Sequence, residues 1–175
     1  MKRIKLLLCA VAIIGLGITS CSDDDDSNNN INDAISGTYL LTELNTQNAT
    51  DLNMDGTFNF NQRLESDCYN NSRIVLNNDN TFTYYSNGIA VDVANGTMNC
   101  NQNTYSGTWV LDAGTANTGI IIATYMLNGN EATIQLNKSS EEITNYQLFV
   151  AYPDRNASGA PIYTTGEVTM VFQKS

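Results

Sequence analysis

Histidine is absent from the chain, which has 175 residues. Because histidine is the commonest general base, proton shuttle and zinc ligand, its absence excludes serine–histidine triads and zinc-dependent hydrolysis. A pair of carboxylates acting on a sugar is the catalytic arrangement that remains. Its candidate members are Glu43, Glu65, Glu131 and Glu167. Since such a pair needs a placement that the sequence does not indicate, we expect a protein that is not an enzyme and needs no cofactor.

Basic residues are also scarce: eight Lys and Arg stand against 18 Asp and Glu, a formal net charge of −10. Three of the eight are Lys2, Arg3 and Lys5, and losing them with a leader would take the net charge from −10 to −13. Such a chain repels nucleic acid and anionic lipid headgroups. We therefore expect no nucleic-acid partner, and any attachment to a membrane must come from a covalent lipid.

The start of the chain has the pattern of a secretory signal, a basic stretch followed by the apolar run Leu6 to Ile18. The run is too short to span a membrane stably and ends in Ile-Thr-Ser before Cys21. This ending resembles the lipobox of bacterial lipoproteins. The resemblance implies that residues 1–20 are removed and that Cys21 becomes the lipidated first residue. An ordinary cleaved signal followed by an incidental cysteine is the alternative.

In residues 21–34, Cys21 and Ser22 are followed by an acidic run, Asp23 to Asp26, and then by Ser27 and three asparagines. Most of this stretch has no apolar side chain to bury and strong self-repulsion, so it predicts a disordered tether. An acidic run directly after the lipidated cysteine is similar to the export signal of lipoproteins that Gram-negative bacteria carry to the outer face of the outer membrane. That similarity implies a protein anchored at the cell surface. A solvated spacer is the alternative.

Four cysteines occur in the chain. Cys9 would leave with the signal and Cys21 would take the lipid, so Cys68 and Cys100 remain as a pair in an oxidising compartment. We therefore predict a disulfide between them. Two free thiols are the alternative.

The remaining residues, 35–175, are the size of one domain. Short segments rich in Thr, Tyr, Val and Ile alternate with clusters of Asn, Asp and Gly, which predicts an antiparallel all-β fold. The predicted strands lie near 37–45, 72–78, 80–87, 89–94, 105–111, 118–126, 131–137, 143–151 and 166–173. One short helix is possible at Phe58 to Glu65. Closing about eight meandering strands into an up-and-down barrel is the simplest way to remove both sheet edges.

Several short motifs resemble the lipocalin-like domains of bacterial lipoproteins. They are the phrases Ser36 to Leu41 and Ser106 to Leu111, the Asp51 to Gly56 turn, the Asn78 to Phe82 turn and strand, and the two central cysteines. The resemblance implies an eight-stranded barrel with an aromatic ring packed across one end and a small apolar or amphipathic ligand at the other. Tyr39 stands where the lipocalin family has tryptophan.

The resemblance places the mouth of such a barrel among aromatic residues of the strands. The candidate ligand-binding residues are Tyr39, Trp109, Tyr125 and Phe149. Two alternatives remain open. Tyr39 and Trp109 are core aromatics of a β-sandwich, or the barrel is filled and a surface protein partner is recognised through the loops Asp112 to Gly119 and Tyr152 to Ile162.

The stretch Asp51 to Gly56 has acid or amide side chains at alternate positions before a glycine, as a calcium loop begins. Its candidate ligands are Asp51, Asn53 and Asp55. The twelfth position, however, is Gln62, which cannot supply the bidentate carboxylate of an EF-hand. The sequence therefore leaves two interpretations open, a weak calcium site and a turn whose Asx side chains bond their own backbone.

Overall fold

The computed structural model describes residues 26–175, and their side chains from residue 31 onward. The expected signal peptide at residues 1–20, the expected lipidation site Cys21 and the start of the acidic run lie outside the described residues. Within residues 26–175, no helix is long and apolar enough to cross a membrane.

The described chain consists of one α-helix, nine strands and two single-turn 3₁₀ helices. In chain order they are α1 (Asp26–Ile35), β1 (Gly37–Thr50), β2 (Asn59–Asn61), the 3₁₀ helices Gln62–Leu64 and Asp67–Tyr69, β3 (Arg73–Leu76), β4 (Thr81–Asp92), β5 (Thr97–Gly114), β6 (Thr118–Leu127), β7 (Asn130–Ser139), β8 (Glu142–Arg155) and β9 (Pro161–Lys174).

The strands form a closed antiparallel barrel, which confirms the predicted fold class. Strands β1 and β3 to β9 pair in sequence order, and β9 pairs back onto β1 from Tyr39 opposite Lys174 to Thr46 opposite Val168. The short strand β2 is an addition to these eight, and it pairs with the part of β1 beyond β3. The barrel removes most free sheet edges, as full closure does.

One end of the barrel is closed by packed apolar side chains. Alternate residues of each strand point inward. Their buried members at this end are Tyr39, Leu76, Phe82, Trp109, Ile121, Leu136, Ile143 and Phe172. Helix α1 covers the end, with Ile35 fully buried and Ile31 packed against the same cluster.

Helix α1 overlaps the predicted tether, residues 21–34, and its last residues pack against the barrel. Ile31 and Ile35 are spaced four residues apart and fall on one face of a helix. The Tyr39 hydroxyl donates to the Ile35 carbonyl oxygen at 2.5 Å, and the Lys174 ammonium donates to the Ala34 carbonyl oxygen at 2.8 Å. These tertiary contacts stabilise the helix, although the polar composition of the segment predicts disorder.

Strand lengths also differ from the sequence predictions. The two strands predicted at 80–87 and 89–94 are one strand, β4, because Gly88 continues the ladder opposite Asn101. The predicted helix at Phe58 to Glu65 is strand β2 followed by a 3₁₀ turn. The predicted late loop is largely strand, with Pro153 inside β8 and Pro161 as the first residue of β9.

The disulfide between Cys68 and Cys100 is present, as predicted, with a Cα–Cα distance of 5.0 Å. It joins the second 3₁₀ helix to the first part of β5 across 32 residues of sequence. The bond thereby fixes the segment with the two 3₁₀ helices, which precedes the short strand β3 in the wall between β1 and β4.

The barrel wall has an opening on one side. Strands β7 and β8 pair only from Asn137 opposite Thr144 to Ser139 opposite Glu142. Within the described chain, residues 145–155 of β8 pair with β9 alone, and residues 97–106 of β5 pair with β4 alone. The tip of the β6–β7 hairpin lies between these two free edges. We call this gap the side opening.

Candidate ligand-binding cavity

A cavity of about 260 Å³ lies in the barrel above the closed end. Its lining comes from β1, β4, β5, β8, β9 and residues 62–72, which contain the two 3₁₀ helices. We call residues 62–72 the 3₁₀ segment. The lining residues include Asn101 and Asn103 on the free edge of β5, and Gln147 and Val150 on the free edge of β8. The cavity therefore reaches the side opening and is open to solvent.

The wall of the cavity formed by β1 and β9 is apolar. It consists of Leu41 and Leu44 from β1 and Val168 and Met170 from β9. Leu41 and Val168 are each 5% exposed. A ligand against this wall would bury apolar surface, which is favourable by about 25 cal/mol per Å².

The opposite wall, formed by the β4–β5 hairpin, is mostly polar. Ser86 and Asn87 contribute from β4, and Asn101 and Asn103 contribute from β5. Asn101 and Asn103 are exposed and form no side-chain hydrogen bond with any other described residue. Their amide groups are free to bond water or a ligand.

A third side of the cavity is a fixed polar network on the 3₁₀ segment. Gln62 is fully buried, and its amide donates to the Pro153 carbonyl oxygen at 2.7 Å. The Tyr69 hydroxyl donates to the Gln62 amide oxygen at 2.6 Å. Burial, and then the neighbouring Tyr163, raises the pKa of Tyr69 well above its ordinary value. Since these groups satisfy one another, they form a rigid wall.

The floor of the cavity is Tyr84. Its ring centroid lies 6.1 Å from those of Phe172 and Tyr105, so it rests on the packed core. Burial is the main cause that raises the pKa of the Tyr84 hydroxyl above its ordinary value. The hydroxyl lies 3.5 Å from the Met170 sulfur, a weak acceptor.

Charged side chains are missing from the cavity. Among the described residues that line it there is no Asp, Glu, Lys or Arg. None of the four carboxylates considered for catalysis lines it either. Glu65 is instead buried beside it, where its carboxylate accepts from the Leu52 amide at 3.0 Å and from the side chain of Asn59.

The four aromatic residues predicted to line the barrel mouth do not meet there. Tyr39 and Trp109 are 0% and 1% exposed in the closed end, where they complete the core. Tyr125 packs against Tyr105 with ring centroids 5.1 Å apart. Phe149 is 85% exposed on β8. None of the four lines the cavity: Tyr39 and Trp109 are buried in the closed end, Tyr125 packs against Tyr105, and a bulge in β8 turns Phe149 outward.

The residues that do line the cavity include three that alternation alone could have found. Counting back along β5 from Trp109 in steps of two positions gives Gly107, Tyr105, Asn103 and Asn101. An inward Trp109 therefore places Asn103 and Asn101 on the inner face of β5. The same rule places Tyr84 inward beyond Phe82. The contribution of Gln62 carries no such signal, since it depends on the irregular 3₁₀ segment.

The three predicted calcium ligands lie together in one turn. The Asp51 carboxylate accepts from the backbone amides of Asp55 and Gly56 at 3.1 and 3.0 Å, and the Asn53 side-chain oxygen accepts from the Asp55 amide at 3.0 Å. Hydrogen bonds from Thr57 chiefly lower the pKa of Asp55. Within residues 31–175, no three acidic, cysteine or histidine side chains are grouped to hold a metal. The geometry is that of an Asx turn, and calcium binding stays a prediction.

The chain has no counterpart in the comparisons with known proteins: no family model, no curated protein and no solved structure matches it.

Proposed function

We propose that this protein is the lipocalin-like barrel of a surface-anchored lipoprotein and that it binds one small amphipathic molecule without catalysing a reaction. The observation that carries the proposal is the open cavity above a fully packed closed end. A concave site with one apolar wall and a few convergent polar groups is the common form of a small-molecule site.

The size of the cavity limits the ligand. A volume of about 260 Å³ holds roughly eight or nine water molecules at about 30 Å³ each. Drug-sized ligands occupy pockets of about 300–1,000 Å³. The ligand is therefore a compact molecule of one ring or a short chain, and a longer ligand would protrude through the side opening.

The orientation of the two barrel ends relative to the start of the chain fits an anchored protein. The described chain begins at α1, which covers the closed end, and Lys174 near the chain end pairs at that same end. A lipid at Cys21 would hold the closed end toward the membrane, and the β4–β5 and β8–β9 hairpins would point away from it. A ligand would then enter from the outside medium.

The test is native mass spectrometry of the whole mature chain, residues 21–175 carrying Cys21→Ser, exported behind a non-lipoprotein signal. We expect a co-purified small molecule, and Gly88→Leu should remove it. A Cβ at Gly88 would lie 3.4 Å from the Asn101 side chain and 3.6 Å from the Tyr69 ring, both of which line the cavity, so a larger side chain at this position takes up space in the cavity. Ala90→Leu, two residues along β4, is the matched control. Retention of the ligand by Gly88→Leu would contradict the proposal.

A second candidate function, a component of a surface assembly that recognises a protein through its loops, is favoured by a different observation. Met54, Phe58, Phe60 and Leu64 are all more than half exposed. Met54 and Phe58 border an open groove beside the β8–β9 hairpin. A photo-cross-linker at Phe58 should then give one discrete adduct on cells, whereas one at Thr108 on the outer barrel wall should give none.

A further inference from the structure

We infer that the cavity selects an uncharged ligand that carries hydroxyl or amide groups along one side and apolar surface along the other. The inference rests on the proposed function and names the chemical class of its ligand. It follows from three features of the lining that the structure describes: the lack of charged side chains, the division into two unlike walls, and the polar groups that have no partner among the described residues.

The lack of charge excludes a charged head group inside the cavity. Moving an ion out of water costs several kcal/mol unless an opposite charge or several hydrogen bonds receive it. The described lining holds neither a carboxylate nor a basic side chain. The net negative charge of the chain further repels an anion.

An aromatic cage for a cation is not formed either. The Tyr84 ring meets Phe172 edge to face, at 80° between ring planes, and is tilted against Tyr105. These contacts take up faces that would otherwise surround a cation. The tyrosines thus act as the floor and not as a cage.

The polar groups of the cavity fall into two sets. Gln62 and Tyr69 are satisfied by each other, and the Ser72 hydroxyl donates to the Asn87 carbonyl oxygen at 3.1 Å. By contrast, the amides of Asn101 and Asn103 have no partner among the described residues. Gln147 donates to the Asn145 side chain at 2.6 Å, which leaves its own oxygen free.

The free set lies on both sides of the side opening, Asn101 and Asn103 on β5 and Gln147 on β8. Amides both donate and accept, so they match hydroxyl or amide groups of a neutral ligand. The satisfied set lines the opposite, interior part with Leu41 and Val168. A ligand would therefore enter with its apolar side inward and keep its polar groups toward β5 and β8.

The experiment uses four probes that share one six-membered ring: benzamide, benzoate, benzylammonium and toluene. Their binding to residues 21–175 with Cys21→Ser is measured by protein-observed NMR titration at neutral pH. We expect benzamide to bind with shifts at Asn103 and Gln147, and benzoate and benzylammonium to bind at least tenfold more weakly. Toluene should bind more weakly than benzamide.

The variant for this test is Asn101→Leu with Asn103→Leu, and the matched control is Asn99→Leu, on the same face of β5 but outside the cavity. The double variant should weaken the binding of benzamide at least fivefold and should leave the binding of toluene unchanged or tighter. The control variant should change the binding of neither probe. If a charged probe binds as tightly as benzamide, or if the double variant has no effect, the inference is overturned and the proposed function stands. If no probe binds, both are overturned.

Discussion

The indole N–H of Trp109 donates a hydrogen bond of 2.8 Å to the backbone carbonyl of Asn77 at the closed end of the barrel. The backbone amide of Trp109 donates to the Asn80 carbonyl oxygen at 2.7 Å. One residue of β5 thus holds both ends of the β3–β4 turn. The ring has a polar edge that is satisfied and an apolar body that is buried, which is the condition for a tryptophan to stabilise a core.

Trp109→Phe should lower the free energy of unfolding by about 1–3 kcal/mol, because it removes this hydrogen bond and leaves a small cavity. Urea unfolding followed by far-UV circular dichroism measures the change. Val110→Ala, at a half-exposed neighbour, is the control and should stay within about 0.5 kcal/mol of the parent chain. A Trp109→Phe variant as stable as the control would contradict this account of the closed end.

The Cys68–Cys100 bond closes a loop of 32 residues. Removing the bond therefore increases the conformational entropy of the unfolded chain more than that of the folded chain. Replacing both cysteines with serine should lower the free energy of unfolding by roughly 3–4 kcal/mol on the chain-entropy model. Urea unfolding with and without dithiothreitol is the measurement. The reductant should destabilise the parent chain and leave the double variant unchanged, and equal stability of the two chains under oxidising conditions would count against the prediction.

Which parts of the structure the sequence predicts depends on how local their causes are. The alternation of β5 and the turns after Leu76 and Leu127 depend on neighbouring residues, so the strands and the barrel are predictable. Helix α1 depends on burial of Ile31 and Ile35 against a distant core. The formation of α1 is therefore a tertiary effect, which the polar composition of the segment does not predict.

The candidate site follows the same division. Asn101 and Asn103 lie where alternation from Trp109 places them, whereas Gln62 reaches the cavity through a 3₁₀ turn without a sequence pattern. The outward position of Phe149 results from a bulge between Gln147 and Val150. A bulge shifts every later side chain by one position, which is why aromatic character alone selected a residue outside the site.

Tyr39 makes stability depend on pH in the alkaline range. Burial, and then the charge of Glu141, raises its pKa to about 12 from the ordinary 10.0. Because the folded state favours the protonated phenol, this contribution is fully present below pH 10 and is lost as the pH rises from about 10 to about 12. The loss amounts to about 2–3 kcal/mol.

Urea unfolding at pH 9 to 12, followed by the fluorescence of Trp109, the only tryptophan, measures this dependence. The control is Tyr39→Phe, which lacks the hydroxyl that donates to Ile35 but keeps Tyr69 and Tyr84. Its stability should fall less between pH 10 and 12 than that of the parent chain. Parallel curves for the two proteins would show that Tyr39 does not titrate as described.

Phe149 combines a strained backbone with an exposed ring. Its φ is 57°, a left-handed conformation that costs a bulky residue about 1–2 kcal/mol, and its side chain is 85% exposed and so contributes little burial. Glycine adopts this conformation without strain but loses more entropy on folding. Phe149→Gly should therefore leave the free energy of unfolding unchanged or raise it by up to about 1 kcal/mol.

The adjacent Leu148→Gly is the matched control, because Leu148 is also exposed and has no positive φ. It should lower the free energy of unfolding by about 0.5–1 kcal/mol, as glycine does in a strand. Opposite signs for the two neighbours in one urea series would show that the bulge stores strain at Phe149. If Phe149→Gly destabilises as much as Leu148→Gly, the ring contributes packing that its exposure does not show, and the strain has no measurable cost.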